Sequence, residues 1–242
     1  MVGGAKLLAK DGLAIIGGTA VIFLISLGMW YLVPNTVTGV TMVVFGLLAV
    51  FNLFFFRDPH RKIPRNPFAV LSPADGRVTN IVKLVEPDYF NHEVQRISIF
   101  LSIFNVHVNR TPLSGTVDYF AYHTGKFFAA FKEKASIENE QTVIGMVDQY
   151  GHRVLFKQIA GVLARRIICH LREGQWSNAG ERMGMICYGS RVDVFVPLEA
   201  KIQVVVGQRV KGGETILALF PEEGDEATTE ETVLEVPKTE VT

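Results

Sequence analysis

Hydrophobic and polar positions divide the chain into three textures. Residues 12–33 and 40–56 are almost continuously apolar, and no Asp, Glu, Lys or Arg lies between Asp11 and Arg57. At 1.5 Å per residue these runs rise roughly 33 and 25 Å as helices, against a hydrocarbon layer of about 30 Å. The first can cross a bilayer and the second is marginal. Residues 34–39 form a turn between them, so the pattern predicts a helical hairpin that enters the membrane. A secretory signal has a shorter apolar region and a small-residue cleavage site, whereas here a second apolar run follows at once, and the segment is read as retained. A hairpin confined to one leaflet stays open. So does a buried helical pair in a soluble core, although such helices rarely lack every charge over this length.

Beyond Pro67 the apolar runs become short and are broken by Gly, Pro and Asn, a texture of many strands. Strands are predicted at residues 77–85, 96–104, 115–121, 141–148, 152–158, 185–187, 193–196 and 202–206. Phe127, Phe128 and Phe131 have helical spacing within residues 126–134, and 161–170 fits either helix or strand. Residues 206–217 carry the V-x-G-x-x-V-x-x-G-x-x-L spacing of a flattened barrel whose glycines turn short strands. The expected fold is mostly β with some helix, a barrel-like or hybrid-barrel domain behind an N-terminal hydrophobic helical hairpin. The expected organisation is hairpin and basic linker over 1–66, β domain over 67–221, and a disordered acidic tail over 222–242.

Composition supports contact with lipid. Hydrophobic residues make up 48% and charged residues 20% of 242, and mean hydropathy is +0.25, too apolar for disorder. Lys+Arg and Asp+Glu both number 24. With no dominant basic field, nucleic acid has no support as a partner. The balance is uneven, since residues 222–242 hold eight acids and one base and the remainder is net +7. Lys6 and Lys10 precede the hairpin and Arg57, Arg61, Lys62 and Arg65 follow it, which by the positive-inside rule puts both ends, and the β domain, on the cytoplasmic face of the inner membrane. The run at residues 57–62 would also meet anionic headgroups, at about 1 kcal/mol per basic residue. Cys169 and Cys187 form no C-x-x-C motif, as suits a reducing compartment.

Candidate chemistry centres on Gly189-Ser190, set between strand-like segments. A strained turn there would bring the Ser190 hydroxyl to the Gly189 carbonyl, where no side chain obstructs it. An N-to-O acyl shift, β-elimination and hydrolysis would then cleave the chain and leave a pyruvoyl group, an electron sink for decarboxylating an amine-bearing substrate. A Gly-Ser pair alone, however, is usually only a turn.

The surrounding phrases sharpen this. Ser72-Pro73-Ala74-Asp75-Gly76, Phe104-Asn105-Val106-His107-Val108-Asn109-Arg110, Gly125-Lys126-Phe127, Asn139-Glu140, Ile159-Ala160-Gly161, Ala164-Arg165-Arg166-Ile167 and Gly189-Ser190-Arg191-Val192-Asp193 occur in an order that resembles the short form of phosphatidylserine decarboxylase, over about residues 68–220. The resemblance implies a proenzyme that cuts itself between Gly189 and Ser190. The products would be a β chain, 1–189, and an α chain, 190–242, that stay associated, with Ser190 converted to the pyruvoyl cofactor. It further implies decarboxylation of phosphatidylserine to phosphatidylethanolamine through a Schiff base, with no pyridoxal phosphate and no metal. A homo-oligomer is left open.

By the same resemblance, Asp75 serves self-cleavage, against the reading of an Asx-turn residue. His107 stands near the pyruvoyl group and assists proton transfer, against that of a core histidine. The long form has a second histidine three residues on, where this chain has Arg110. A guanidinium is no base near neutral pH, so either His107 serves both steps or another group activates Ser190. Arg110 is then a candidate for the lipid phosphate or carboxylate, as is Lys126. Cys187 is read as core.

Two other readings compete. Residues 198–202 and the later Gly-Val spacing faintly resemble a biotinyl or lipoyl carrier, but only six residues separate Lys201 from the barrel glycine Gly207. A catalytically inactive membrane-tethered barrel of the metallopeptidase-like class is the other. Its active form would need a His-x-His pair, and here His107 is flanked at that spacing by Asn105 and Asn109.

Overall fold

Asn35 sets the geometry of the hairpin. In the computed structural model, which describes residues 7–125, 139–161, 167–187 and 189–222, the Asn35 side chain accepts from Thr38 N–H while the Thr38 hydroxyl accepts from Asn35 N–H, a capping box. The second helix therefore starts four residues before its apolar run. Helix α1 (Leu13–Leu32) and helix α2 (Thr36–Phe55) each have 20 residues, about 30 Å, so the second is no shorter than the first. Both are long and apolar enough to cross a membrane and almost wholly unburied, which sets aside the buried soluble pair. Between them, Asn52 Nδ2 donates to Thr19 Oγ1 at 3.3 Å, and Gly46 makes room for the Phe23 ring.

The foot of the hairpin is built into the β domain. Ala9 N–H donates to Phe56 O and Asp58 N–H to Leu7 O, at 2.8 and 2.9 Å. Ala9, Phe55 and Phe56 are buried against Val106, Val108, Met185 and Cys187. Fully burying a side chain such as Phe55 contributes about 1.5–3 kcal/mol.

The rest is mostly β. Its strands are β1 (Ala69–Leu71), β2 (Gly76–Glu86), β3 (His92–Leu101), β4 (Val108–Arg110), β5 (Gly115–His123), β6 (Gln141–Val147), β7 (Arg153–Ile159), β8 (Ile167–Cys169), β9 (Trp176–Ser177), β10 (Arg182–Ile186), β11 (Ser190–Pro197), β12 (Lys201–Ile202), β13 (Arg209–Val210) and β14 (Ile216–Leu219). Eight form a curled half-barrel in the order β13-β2-β3-β11-β7-β6-β5-β9, closed by the small sheets β1-β14-β12 and β4-β10-β8. Alternate residues Val78, Ile99, Val192 and Val194 enter the main core. On the opposite face of β11, Arg191 and Asp193 form a buried ion pair, and Arg191 also donates to Ser98 Oγ.

Several boundaries differ from expectation. The strand expected at 96–104 runs His92–Leu101, because Asn105 draws Ser102 into a turn through its N–H and hydroxyl. Of the segment 202–206 only Ile202 is strand, the end of Lys201–Ile202, and Val205 and Val206 lie in an exposed turn. Ser190 is the first residue of β11 rather than a turn residue, because it pairs with Leu101. Of 161–170, Ile167–Cys169 is strand. The helix expected at 126–134 and the tail beyond Glu222 fall outside the described residues.

Candidate active site

Four strands end together. Val210 opposes Gly76, Leu101 opposes Ser190, and Arg77 opposes Phe100, so Val210, Gly76, Leu101 and Ser190 lie across the last rung of the half-barrel. Gly76 is required there by close packing, since a Cβ would stand 2.3 Å from Phe100 O. Asp75 directly precedes this rung, whose Gly76 is two strand spacings, about 10 Å, from Ser190.

Gly189 enters β11 with φ +74° in open space, so its demand for glycine is conformational. Ser190 is fully buried and its Oγ has no hydrogen-bond partner among the described residues. A buried hydroxyl left unpaired costs about 1–3 kcal/mol and marks a strained or reactive position. His107, just ahead of β4, faces the Gly189–Ser190 link. Its Nδ1 lies 3.0 Å from Asn105 O, and its Nε2 accepts from Gly189 N–H at 3.4 Å. Only the tautomer protonated at Nδ1 satisfies both contacts, so the single lone pair of Nε2 points at residue 189, engaged only by that long contact. Phe55 of α2 lies over the imidazole with ring centroids 4.2 Å apart. Burial pushes the His107 pKa down to about 4, against the Asn105 carbonyl and with help from the Arg57 charge. His107 is therefore neutral near pH 7.

The other predicted residues are held differently. Arg61 grips both oxygens of Asp75, at 2.8 and 3.0 Å, and Gly212 N–H donates to Oδ1 at 2.8 Å. The carboxylate thus serves residues distant in sequence rather than an Asx-turn of its own. Arg110 donates to Gly180 O and forms an ion pair with Asp58, which also faces Arg182; Arg182 in turn binds Asp11. The Arg110 fork is occupied within the protein. Lys126, Arg165 and Arg166 lie outside the described residues. Cys187 is buried in the hairpin-foot cluster, as expected of a core thiol.

Sequence reasoning missed three contributors, Phe55, Asp58 and Arg61. The linker at 57–62 read as a basic run facing anionic headgroups, yet Asp58 pairs with Arg110, Arg61 with Asp75, and Arg57 donates to Phe54 O and Phe104 O. The lone acid within that run was the available signal.

Fold and site together define a mostly β protein that carries two helices long and apolar enough to cross a membrane and a histidine directed at a Gly–Ser peptide. The family described as phosphatidylserine decarboxylase matches residues 48–218. Proteins named phosphatidylserine decarboxylase proenzyme from Oleidesulfovibrio alaskensis and Cytophaga hutchinsonii are 44% and 42% identical to this chain. The first alignment covers 89% of this chain and 95% of the relative, the second 84% and 93%. One of the same name from Neisseria gonorrhoeae is 42% identical, over 89% of this chain and 80% of the relative. The chain belongs to the phosphatidylserine decarboxylase family.

Proposed function

We propose that the chain is the proenzyme of a pyruvoyl-dependent phosphatidylserine decarboxylase, held at the membrane by its hairpin with the β domain on the cytoplasmic side. The observation that carries this reading is the buried, unpartnered Ser190 hydroxyl beside a left-handed Gly189 whose N–H meets neutral His107.

The self-cleavage follows from these groups. His107 Nε2 takes the Ser190 hydroxyl proton as Oγ attacks the Gly189 carbonyl, and His107 returns that proton to the departing amide nitrogen. The amide becomes an ester. Loss of the Ser190 α-proton then expels Gly189 as a carboxylate and leaves dehydroalanine, which water converts to the pyruvoyl end with release of ammonia. Arg110 cannot supply the base, so His107 serves here and in the later proton transfer. Asp75, with Arg61 and Gly212, fixes the corner where β2 and β13 end and so positions the rung that holds Ser190.

The pyruvoyl group supplies an electron sink when the substrate carboxylate leaves as CO2. Buried residue 190 and the Phe55 wall keep water from that carboxylate, which favours the neutral product. Anchoring by α1 and α2 limits the search to lipid headgroups at one surface.

Denaturing intact-mass measurement tests the reading. A cleaved chain whose smaller fragment begins at residue 190 and is about 17 Da light, the mass of ammonia, supports it. A single 26.8 kDa species in active membranes refutes it.

A further inference from the structure

With Arg110 committed to Asp58, the headgroup phosphate needs other cations. Arg77 on β2 and Arg209 on β13 are directly opposed in an antiparallel pair, and both are exposed. Like charges facing each other there are unfavourable unless something negative lies between them. Among the described residues neither guanidinium has a hydrogen bond or an ion pair, whereas Arg57, Arg61, Arg110, Arg182 and Arg191 all bind carbonyls or carboxylates. Both line a cavity of about 480 Å3 with Gly76, Ser102, Phe104 and Asn105.

Its position fits a lipid ligand. Phe104 is 65% exposed, and its carbonyl accepts from Arg57 at 2.8 Å, directly after the foot of α2. The cavity therefore opens where the chain leaves the membrane. Arg77 and Arg209 project from the sheet face opposite Ser190, in register with Phe100 and Arg191. Gly76 of the cavity wall, however, lies on the last rung beside Ser190 and Asn105 of its wall holds His107, so a headgroup seated there reaches residue 190 around the strand ends. Paired guanidinium forks match a phosphodiester better than two ammonium groups would.

We propose that the Arg77–Arg209 cavity seats the headgroup phosphate of the phospholipid whose amine reaches residue 190, an assignment that rests on the pyruvoyl reading. Full-length wild type, Arg77→Ala/Arg209→Ala and Arg77→Lys/Arg209→Lys are compared in neutral-detergent micelles holding varied fractions of phosphatidylserine, with cleavage followed by mass. The double alanine variant should cleave as wild type yet show a surface KM raised tenfold or more and a much smaller change in kcat. The lysine variant should fall between. Phosphatidylglycerol, which has the phosphate but no amine, should compete in wild type and lose potency in the alanine variant. An unchanged KM overturns the proposal. So does activation of wild type by phosphatidylglycerol, lost in a variant of unchanged KM, which would mark a resident-lipid site. Binding of fluorescent phosphatidylserine to uncleavable Ser190→Ala, with and without the arginine substitutions, reads the cavity apart from turnover. A tenfold loss of affinity upholds the site and equal affinity refutes it, whatever becomes of the cleavage reading.

Discussion

At one end of the half-barrel, two corners of similar composition have been treated in opposite ways. At the Ser190 corner a fully buried hydroxyl has no partner and a buried imidazole keeps a lone pair held by only one long contact. At the Asp75 corner the carboxylate accepts from both Arg61 and Gly212, and nearby Arg110 is paired as well. On the proposed mechanism, the groups that react are the ones left short of partners, whereas those that hold the frame are satisfied. Sequence motifs rank the two kinds alike, and partner count is what would separate them.

The sharpest break is at Ser190. Ser190→Ala should abolish cleavage and decarboxylation together, seen as one uncut chain on a denaturing gel and no CO2 release. His107→Ala should slow chain cleavage by roughly 10²–10⁴, the usual worth of a positioned general base; a time course of fragment appearance checks this. At the satisfied corner the loss should fall first on stability. Arg61→Ala leaves the half-buried Asp75 carboxylate with only the Gly212 N–H and should cost about 1–3 kcal/mol in denaturant unfolding, while the fraction that folds still cleaves.

A pH series sharpens the contrast further. His107 binds a proton in the unfolded chain at its ordinary pKa of 6.5 and in the folded protein only near 4. Its neutral burial therefore lowers stability progressively as pH falls from 6.5 toward 4, and costs nothing above that window. The acid limb of the cleavage rate should likewise sit near pH 4, and a limb near 6.5 would show an imidazole in water. The smallest effect is expected at the hairpin foot. Burial raises the Asp11 pKa, but the hydrogen bond from His170 and the Arg182 charge outweigh it, and the net shift is downward. Asp11→Asn should therefore cost about 1 kcal/mol near neutral pH and nothing once Asp11 is protonated, read as a fall in thermal midpoint.

Much of this was legible in the chain. The uncharged stretch before Arg57 specifies the hairpin, and the short apolar runs specify a β domain. The phrases around His107 and Ser190 were legible too, and the fold sets His107 Nε2 against Gly189 N–H. What escaped depends on pairing over distance. Arg61 meets Asp75 across 14 residues and Arg110 meets Asp58 across 52, and no local period records such partners. The two-residue strand that sets Arg209 against Arg77 is too short for alternation to reveal. Thr38 in place of the usual Glu or Gln of a capping box concealed the true start of α2.

The Phe55 ring over His107 alters how the anchor should be regarded. Shortening a protein to free it from detergent treats its apolar helices as disposable, but here one residue of the second helix covers the imidazole proposed as the base. A soluble version beginning after Arg57 would keep every reacting atom and still hydrate the imidazole, moving its titration toward that of a free histidine. Such a version would be a differently tuned reagent, and its pH response would not stand for that of the membrane-bound protein.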